Sequence, residues 1–428
     1  MNVIYHDPQE YIRQLQSLLI SDKKKIGFLF GAGTSLAIKN GASLKSQVPT
    51  IDKLTKEIVE KLGDDKKYKK ALEEIKSELG KGDFNVEHIL SNIIQKKEII
   101  GNGKLNDLCK TEFEQLETDI KKVINTKVSV HKYKSEIVEN LVHTDFAEWV
   151  GRADRKCPIE IFTTNYDFLF EIGLEYRGVP FYDGFSGSFE PFFDSLSVDN
   201  TMFSPHCTKL WKIHGSLGWC YEKTLDKVLR KDPDVIKEAD ILIYPSILKY
   251  SEAKKFPYVS LIDRLSNFLK QDDTVLFICG YSFGDAHINE VILSALKTDT
   301  TSHVFVLYYD EYENDNKQKY YVLQKNSKLG NIAKETKKIS VYGRRSAVIG
   351  GVFGDWRLKT EPDKSDTINI NLYYDEDAPE PADIVNKNNK GGEVWTGQGR
   401  FLLPDFAHFV KFLTSMITNF NSLRDEKK

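Results

Sequence analysis

The sequence predicts an α/β fold built on a doubly wound parallel sheet, and three observations carry that expectation. Four short polar motifs, GAGTS at 31–35, TTNYD at 163–167, IHG at 213–215 and GYSFGD at 280–285, each close an apolar run of strand length. Apolar residues at helical spacing follow the last motif, from Ile288 to Leu296. The stretch 51–150 lacks proline, is rich in Lys, Glu, Leu and Ile, and repeats its apolar residues every three or four positions. Polar loops at the ends of parallel strands are where such sheets bind ligands. The pattern therefore predicts a Rossmann-like sheet with a nucleotide site that includes a histidine.

In GAGTS the two glycines let the backbone turn sharply and come close to a ligand. A helix starting near Thr34 or Ser35 would offer N–H groups and a partial positive charge to a pyrophosphate. Leu36 stands where the dinucleotide fingerprint needs a third glycine, which disfavours an ordinary dehydrogenase site. A ligand-free strand-to-helix turn is the other reading of this motif taken alone. In TTNYD the carboxamide of Asn165 both donates and accepts, which suits a vicinal diol such as a ribose. Asp167 either accepts from a hydroxyl or caps the next helix, and Thr163 and Thr164 hold the loop by bonding its backbone. His214 stands beside Gly215, which leaves its ring uncovered, and an imidazole titrating near neutral pH serves as a general base. The other eight histidines read as surface or core residues. Ser282 and the backbone of Gly280 are placed to meet a second ribose or a phosphate, with Asp285 read as a helix cap.

The spacing of the motifs divides the chain into a nucleotide-binding core at 1–50 and 151–310, a helical insertion at 51–150 and a C-terminal α+β extension at 311–428. Lysines between Lys53 and Lys81 alternate with acids and read as a solvated helix face. The glycines at 350–354 mark a buried hairpin preceded by solvated Arg344 and Arg345. The acidic stretch 360–393 is expected to be a surface connection around one strand at 368–373. After Pro404 and Asp405, residues Phe406, Phe409, Val410, Leu413, Met416, Ile417 and Phe420 form the stripe of an amphipathic helix that packs on its own domain or on a second subunit.

With 428 residues, 40% of them hydrophobic, the chain can bury a sizeable core. Its formal net charge of −3 gives no global attraction to nucleic acid. No apolar run approaches the ~20 residues that span a bilayer. The opening MNVIYHDPQEY lacks a signal-peptide pattern, so a cytoplasmic setting is expected. The five cysteines form no CxxC pair and read as reduced thiols without a metal.

On these residues the chain resembles the sirtuin-like NAD-binding family. GAG-x-S, TTN-x-D, a histidine–glycine pair and a late glycine–serine loop occur in that order in sirtuins, and here they span Ile26 to Tyr309. The wording of TTNYD and GYSFGD is more similar to the sirtuin-like proteins of bacterial antiphage defence, which consume NAD, than to protein deacylases. The resemblance implies Asn165 and His214 as the catalytic pair. It implies Gly31, Ala32, Gly33 and Ser35 as the phosphate and ribose loop, Gly280 and Ser282 on the adenosine side, and Thr164 and Asp167 beside the ligand. Deacylases typically carry two CxxC pairs around a zinc and a proline–aspartate–phenylalanine–arginine sequence. This chain has neither, offering only Val48-Pro49-Thr50. The implied activity is hydrolysis of NAD to nicotinamide and ADP-ribose, with no metal, silent until a signal releases it. An NAD-dependent protein deacylase and a non-catalytic NAD or adenine-nucleotide sensor remain the alternatives. The family further implies a homo-oligomer and a separate partner, a HerA-like ATPase or an Argonaute-like protein, because this sequence has no GxxxxGK[ST] loop. The stretch Asn85-Val86-Glu87-His88-Ile89-Leu90 is similar to one in the same proteins and is expected to border the pocket. A helix start capped by Asp83 or Asn85 is its competing reading, and it stays outside the core site.

Overall fold

The computed structural model describes residues 4–39, 47–80, 84–152, 155–200, 206–237, 240–243, 257–314, 317–363, 366, 368–376 and 395–425. Its centre is a ten-stranded sheet. In chain order the strands are β1 (Tyr5–His6), β2 (Lys25–Phe30), β3 (Glu160–Thr163), β4 (Phe181–Tyr182), β5 (Thr208–Lys212), β6 (Thr274–Cys279), β7 (His303–Leu307), β8 (Ile339–Tyr342), β9 (Ser346–Ile349) and β10 (Val352–Trp356). Their spatial order is β1-β10-β9-β8-β7-β6-β2-β3-β5-β4. Pairing is parallel from β4 through to β8 and antiparallel in the β8–β9–β10 meander, and β1 joins the edge parallel to β10.

The helices of eight residues or more among the described residues are α1 (Pro8–Ile20), α2 (Ile51–Leu62), α3 (Lys66–Leu79), α4 (Val86–Ile99), α5 (Lys110–Val128), α6 (Val142–Arg152), α7 (Leu169–Tyr176), α8 (Pro257–Leu269), α9 (Ala286–Leu296), α10 (Lys328–Glu335) and α11 (Phe406–Asp425). Alternation along the central strands sends successive side chains to opposite faces. Phe28 of β2 stacks with Phe30 and with Phe277 of β6, and the β2 pair meets α6, α7 and α11 on one face. Leu29, Leu276 and Ile278 point the other way, onto α8 and α9. Helices α2 to α5 build a further cluster around Ile58, Ile89, Phe113 and Ile120.

One register detail positions the site. Phe30 pairs with Cys279 on one side and Thr163 on the other, and Thr163 pairs with Lys212. All four polar motifs therefore leave the sheet from a single rung of its ladder.

Several local expectations are corrected. No α-helix begins at Thr34 or Ser35. Residues Ala32–Leu36 form a 3-10 turn, Ala37 is extended, and among the described residues the next helix starts at Ile51. The turn stays short because the Gly33 N–H donates sideways to the Gly280 carbonyl. The strand expected at 368–373 is a 3-10 turn at Ile370–Leu372 followed by Tyr374–Asp375, which pairs with Arg400–Phe401. The Leu372 N–H donates to the Asn369 carbonyl and the Tyr373 N–H to the Ile370 carbonyl, which closes the turn in place of a ladder. Arg344 is buried against Glu311 rather than solvated. The stripe of α11 lies on its own sheet, with Phe406, Phe409, Val410, Leu413 and Met416 all in the aromatic core. The Phe420 side chain and Asp83 lie outside the described residues. No helix among the described residues is long and apolar enough to cross a membrane.

Candidate active site

The shared rung brings the first two motifs into direct contact. Asn165 is buried, and its Nδ2 donates to the Gly31 carbonyl (3.2 Å), to Thr34 Oγ1 (3.2 Å) and to Ser35 Oγ (2.8 Å). Ser35 Oγ in turn donates to Asp167 Oδ2 at 2.7 Å, and Asp167 Oδ1 accepts the Leu169 N–H at 3.0 Å. Asp167 thus both caps a turn and fixes Ser35. Thr163 Oγ1 accepts the Asn165 N–H at 3.1 Å, as expected of a loop-holding threonine. Thr164 is half-buried, with its N–H on the Phe30 carbonyl, and Ala32 and Gly33 are half-buried beside it.

The amide oxygen of Asn165 has no such partner. It is buried and accepts no hydrogen bond among the described residues. A buried acceptor left open costs about 1–3 kcal/mol, so such a group usually waits for a ligand or water. Its donor end is spent on the scaffold, and its acceptor end is free for a hydroxyl.

The glycines of GAGTS and GYSFGD serve a different end from close approach to a ligand. The Gly31 N–H donates to the Cys279 carbonyl and the Gly33 N–H to the Gly280 carbonyl, so neither is offered to a pyrophosphate. A Cβ at Gly31 would lie 2.5 Å from the Gly280 carbonyl oxygen, and one at Gly280 would lie 2.6 Å from the Thr34 nitrogen. The two loops interlock backbone to backbone. Ser282 is not among the hydrogen-bond partners of Asn165, Ser35 or Asp167. It is exposed, with its Oγ accepting the Gly284 N–H, and it lines a cavity of about 90 Å³ with Phe283, Tyr308 and Leu329.

Lys212, the last residue of β5, is buried and ties the second motif to the third. Its Nζ donates to the carbonyls of Tyr166 and Asp167, pairs with Glu171 at 2.8 Å and lies over the Phe168 ring.

Two residues on, His214 is also buried, but it is not an uncovered imidazole. Its Nδ1 lies 3.1 Å from Glu87 Oε1 and its Nε2 lies 3.0 Å from Asp285 Oδ2. Burial alone would push its pKa down, yet the two carboxylates outweigh burial and hold it up at about 10. Burial likewise works against charge on Glu87 and Asp285, but His214 keeps both below their ordinary range. The resting histidine is an imidazolium, and this corrects the expectation of a ring titrating near neutral pH.

Glu87 comes from the start of α4, where Asn85 is the cap, accepting the His88 N–H at 3.0 Å. The Tyr166 hydroxyl also donates to Glu87. Asp285 uses Oδ1 to cap α9 through the His287 and Ile288 N–H groups and Oδ2 to hold the histidine. Sequence reasoning placed the 85–90 stretch at the border and read Asp285 as a cap. It did not join either to His214, and it passed over Lys212. The acidic residue two after a capping asparagine was the only signal for Glu87.

Sheet and loops together define a Rossmann-like α/β protein with a polar site at the ends of its central parallel strands. A family model for a SIR2-like domain matches residues 159–330, a stretch that contains Asn165, Asp167, His214, Ser282 and Asp285 but not the 31–35 loop. The match supports a sirtuin-like, NAD-using protein over that part of the chain. No curated protein matches the chain. The five cysteines form no disulfide.

Proposed function

We propose that the protein hydrolyses NAD at the nicotinamide–ribose bond, releasing nicotinamide and ADP-ribose. The observation that carries this reading is Asn165, whose buried amide oxygen is left open while its amino group is spent on Gly31, Thr34 and Ser35. NAD breaks at the anomeric carbon with departure of a neutral nicotinamide, so the leaving group needs little help from an acid. The site has to orient the ribose and a water. Asn165 accepts from one of these hydroxyls, and Ser35 and Asp167 hold Asn165 in place. The electron pair of the broken C–N bond leaves with nicotinamide, the water oxygen bonds to the anomeric carbon, and its proton passes to His214 once that ring is neutral, or to solvent.

A protein deacylase and a nucleotide sensor are less well supported. The first lacks the cysteine pairs usual in its family, and the second would not need both Asn165 and His214. A role in antiphage defence, in a homo-oligomer or with a separate HerA-like ATPase or Argonaute-like partner, belongs to the same reading and rests on the sequence resemblance.

The deciding experiment is chromatography of NAD incubated with purified protein, beside Asn165→Ala. Nicotinamide and ADP-ribose should appear, and the variant should release them on the order of a hundredfold more slowly, while it still unfolds in one cooperative transition at a melting temperature lowered by the hydrogen bonds lost to Gly31, Thr34 and Ser35. Equal release by both proteins would remove Asn165 from the mechanism. Nicotinamide release that depends on an acylated peptide would transfer the protein to the deacylases, and tight binding of intact NAD would make it a sensor.

A further inference from the structure

Both ring nitrogens of His214 face carboxylate oxygens, Glu87 at 3.1 Å and Asp285 at 3.0 Å. An ionised carboxylate only accepts, so both nitrogens donate, and the ring keeps no lone pair for a substrate's proton. The two carboxylates are not held alike. Asp285 is anchored by two backbone N–H groups at the start of α9, and its carbonyl accepts from the Tyr281 hydroxyl at 3.2 Å. Among the described residues, the hydrogen bond that steadies the Glu87 carboxylate besides His214 comes from the Tyr166 hydroxyl. Glu87 also arrives on α4, which packs with α2 and α5 outside the sheet. The other titratable groups near the pair are Tyr258 of α8 and Tyr281. Burial raises the pKa of both, so they stay neutral near pH 7.

We propose that Glu87 is a removable clamp on His214, through which the α2–α5 helices control the site. Docked, it occupies Nδ1 and, with Asp285 on Nε2, denies the ring any means of accepting a proton. When the start of α4 withdraws, Nδ1 loses its proton to solvent and can then take one from the attacking water. Asp285 stays on Nε2 and keeps the ring aimed. The functional consequence rests on the hydrolase reading, but the clamp itself does not.

The test pairs two readouts on full-length protein carrying isotope-labelled histidine, in wild type, Glu87→Gln and Glu87→Asp. The aspartate keeps the negative charge that suits a helix start but is too short to reach the ring, so it serves if the glutamine variant folds poorly. NMR should find His214 doubly protonated past pH 9 in the wild type, with its midpoint lower by about two pH units in the variants, a hundredfold loss of proton affinity. Nicotinamide release at pH 7 should rise about tenfold in the same variants. An unmoved midpoint overturns the clamp, and so does a variant whose midpoint falls while its activity drops or stays level with an active wild type. A lowered midpoint with no nicotinamide released by any form leaves the clamp standing and removes the hydrolase reading instead.

Discussion

Gly280 sits at φ +68°, a left-handed conformation, with the Thr34 nitrogen 2.6 Å from where a Cβ would be. Strain and overpacking add there, so Gly280→Ala should cost roughly 2–4 kcal/mol. Urea unfolding should register this as a lower midpoint at unchanged slope, and a stability within 0.5 kcal/mol of wild type would mean that the loops can part cheaply. The motif glycines were legible in the sequence, but their use was not. A loop that lies against a second loop looks, in one dimension, like a loop that lies against a phosphate. Asn165 stood out as a carboxamide just past a strand, but its scaffold duty to Gly31, Thr34 and Ser35, 130 positions away at the nearest, was not written there. The charge on His214 was not legible, since it is set by Glu87 and Asp285, 127 and 71 positions away. No local pattern encodes a pairing at that range.

Elements with a strong period were read well. The α11 stripe repeats at three and four, and its residues lie where that spacing puts them, in the aromatic core. Phe409 is fully buried, with ring centroids 6.2 Å from Phe28 and 6.1 Å from Phe277. Phe409→Ala should therefore destabilise the protein by about 3–5 kcal/mol, measured by denaturant titration. A loss below about 1 kcal/mol would show that α11 is an adornment of the sheet rather than its cover. The strands of the four motifs were also legible, as apolar runs too short for helices. The 3-10 turns at Ala32–Leu36 and Ile370–Leu372 were not, because each depends on hydrogen bonds or burial supplied from elsewhere in the chain.

Across the whole molecule, acid stability is shaped by His143. Its ring is enclosed by Phe170 and Phe406 at 4.6 and 5.2 Å, and neither nitrogen has a hydrogen-bond partner among the described residues. Burial pushes its pKa down to about 3, against ~6.5 in an unfolded chain. A depressed folded pKa gives stability that is fully present above pH 6.5 and is lost as the pH falls toward 3. Between pH 7 and 4.5 the wild type should lose about 2 kcal/mol more than His143→Leu, and parallel losses would exclude His143 as the cause. The order of the sheet was beyond sequence reasoning, since nothing local tells β2 that its neighbours are β3 and β6. That order bears on how the protein is made. A strand translated early must wait for a partner translated late, and on the ribosome Phe28 and Phe30 have at most α6 and α7 to cover them until β6 and then α11 emerge. A chain released before residue 280 has no Gly280 to interlock with Gly31 and no Asp285 to hold His214. A prematurely terminated product therefore has the sticky surface that chaperones and proteases recognise, and no assembled site at its strand ends.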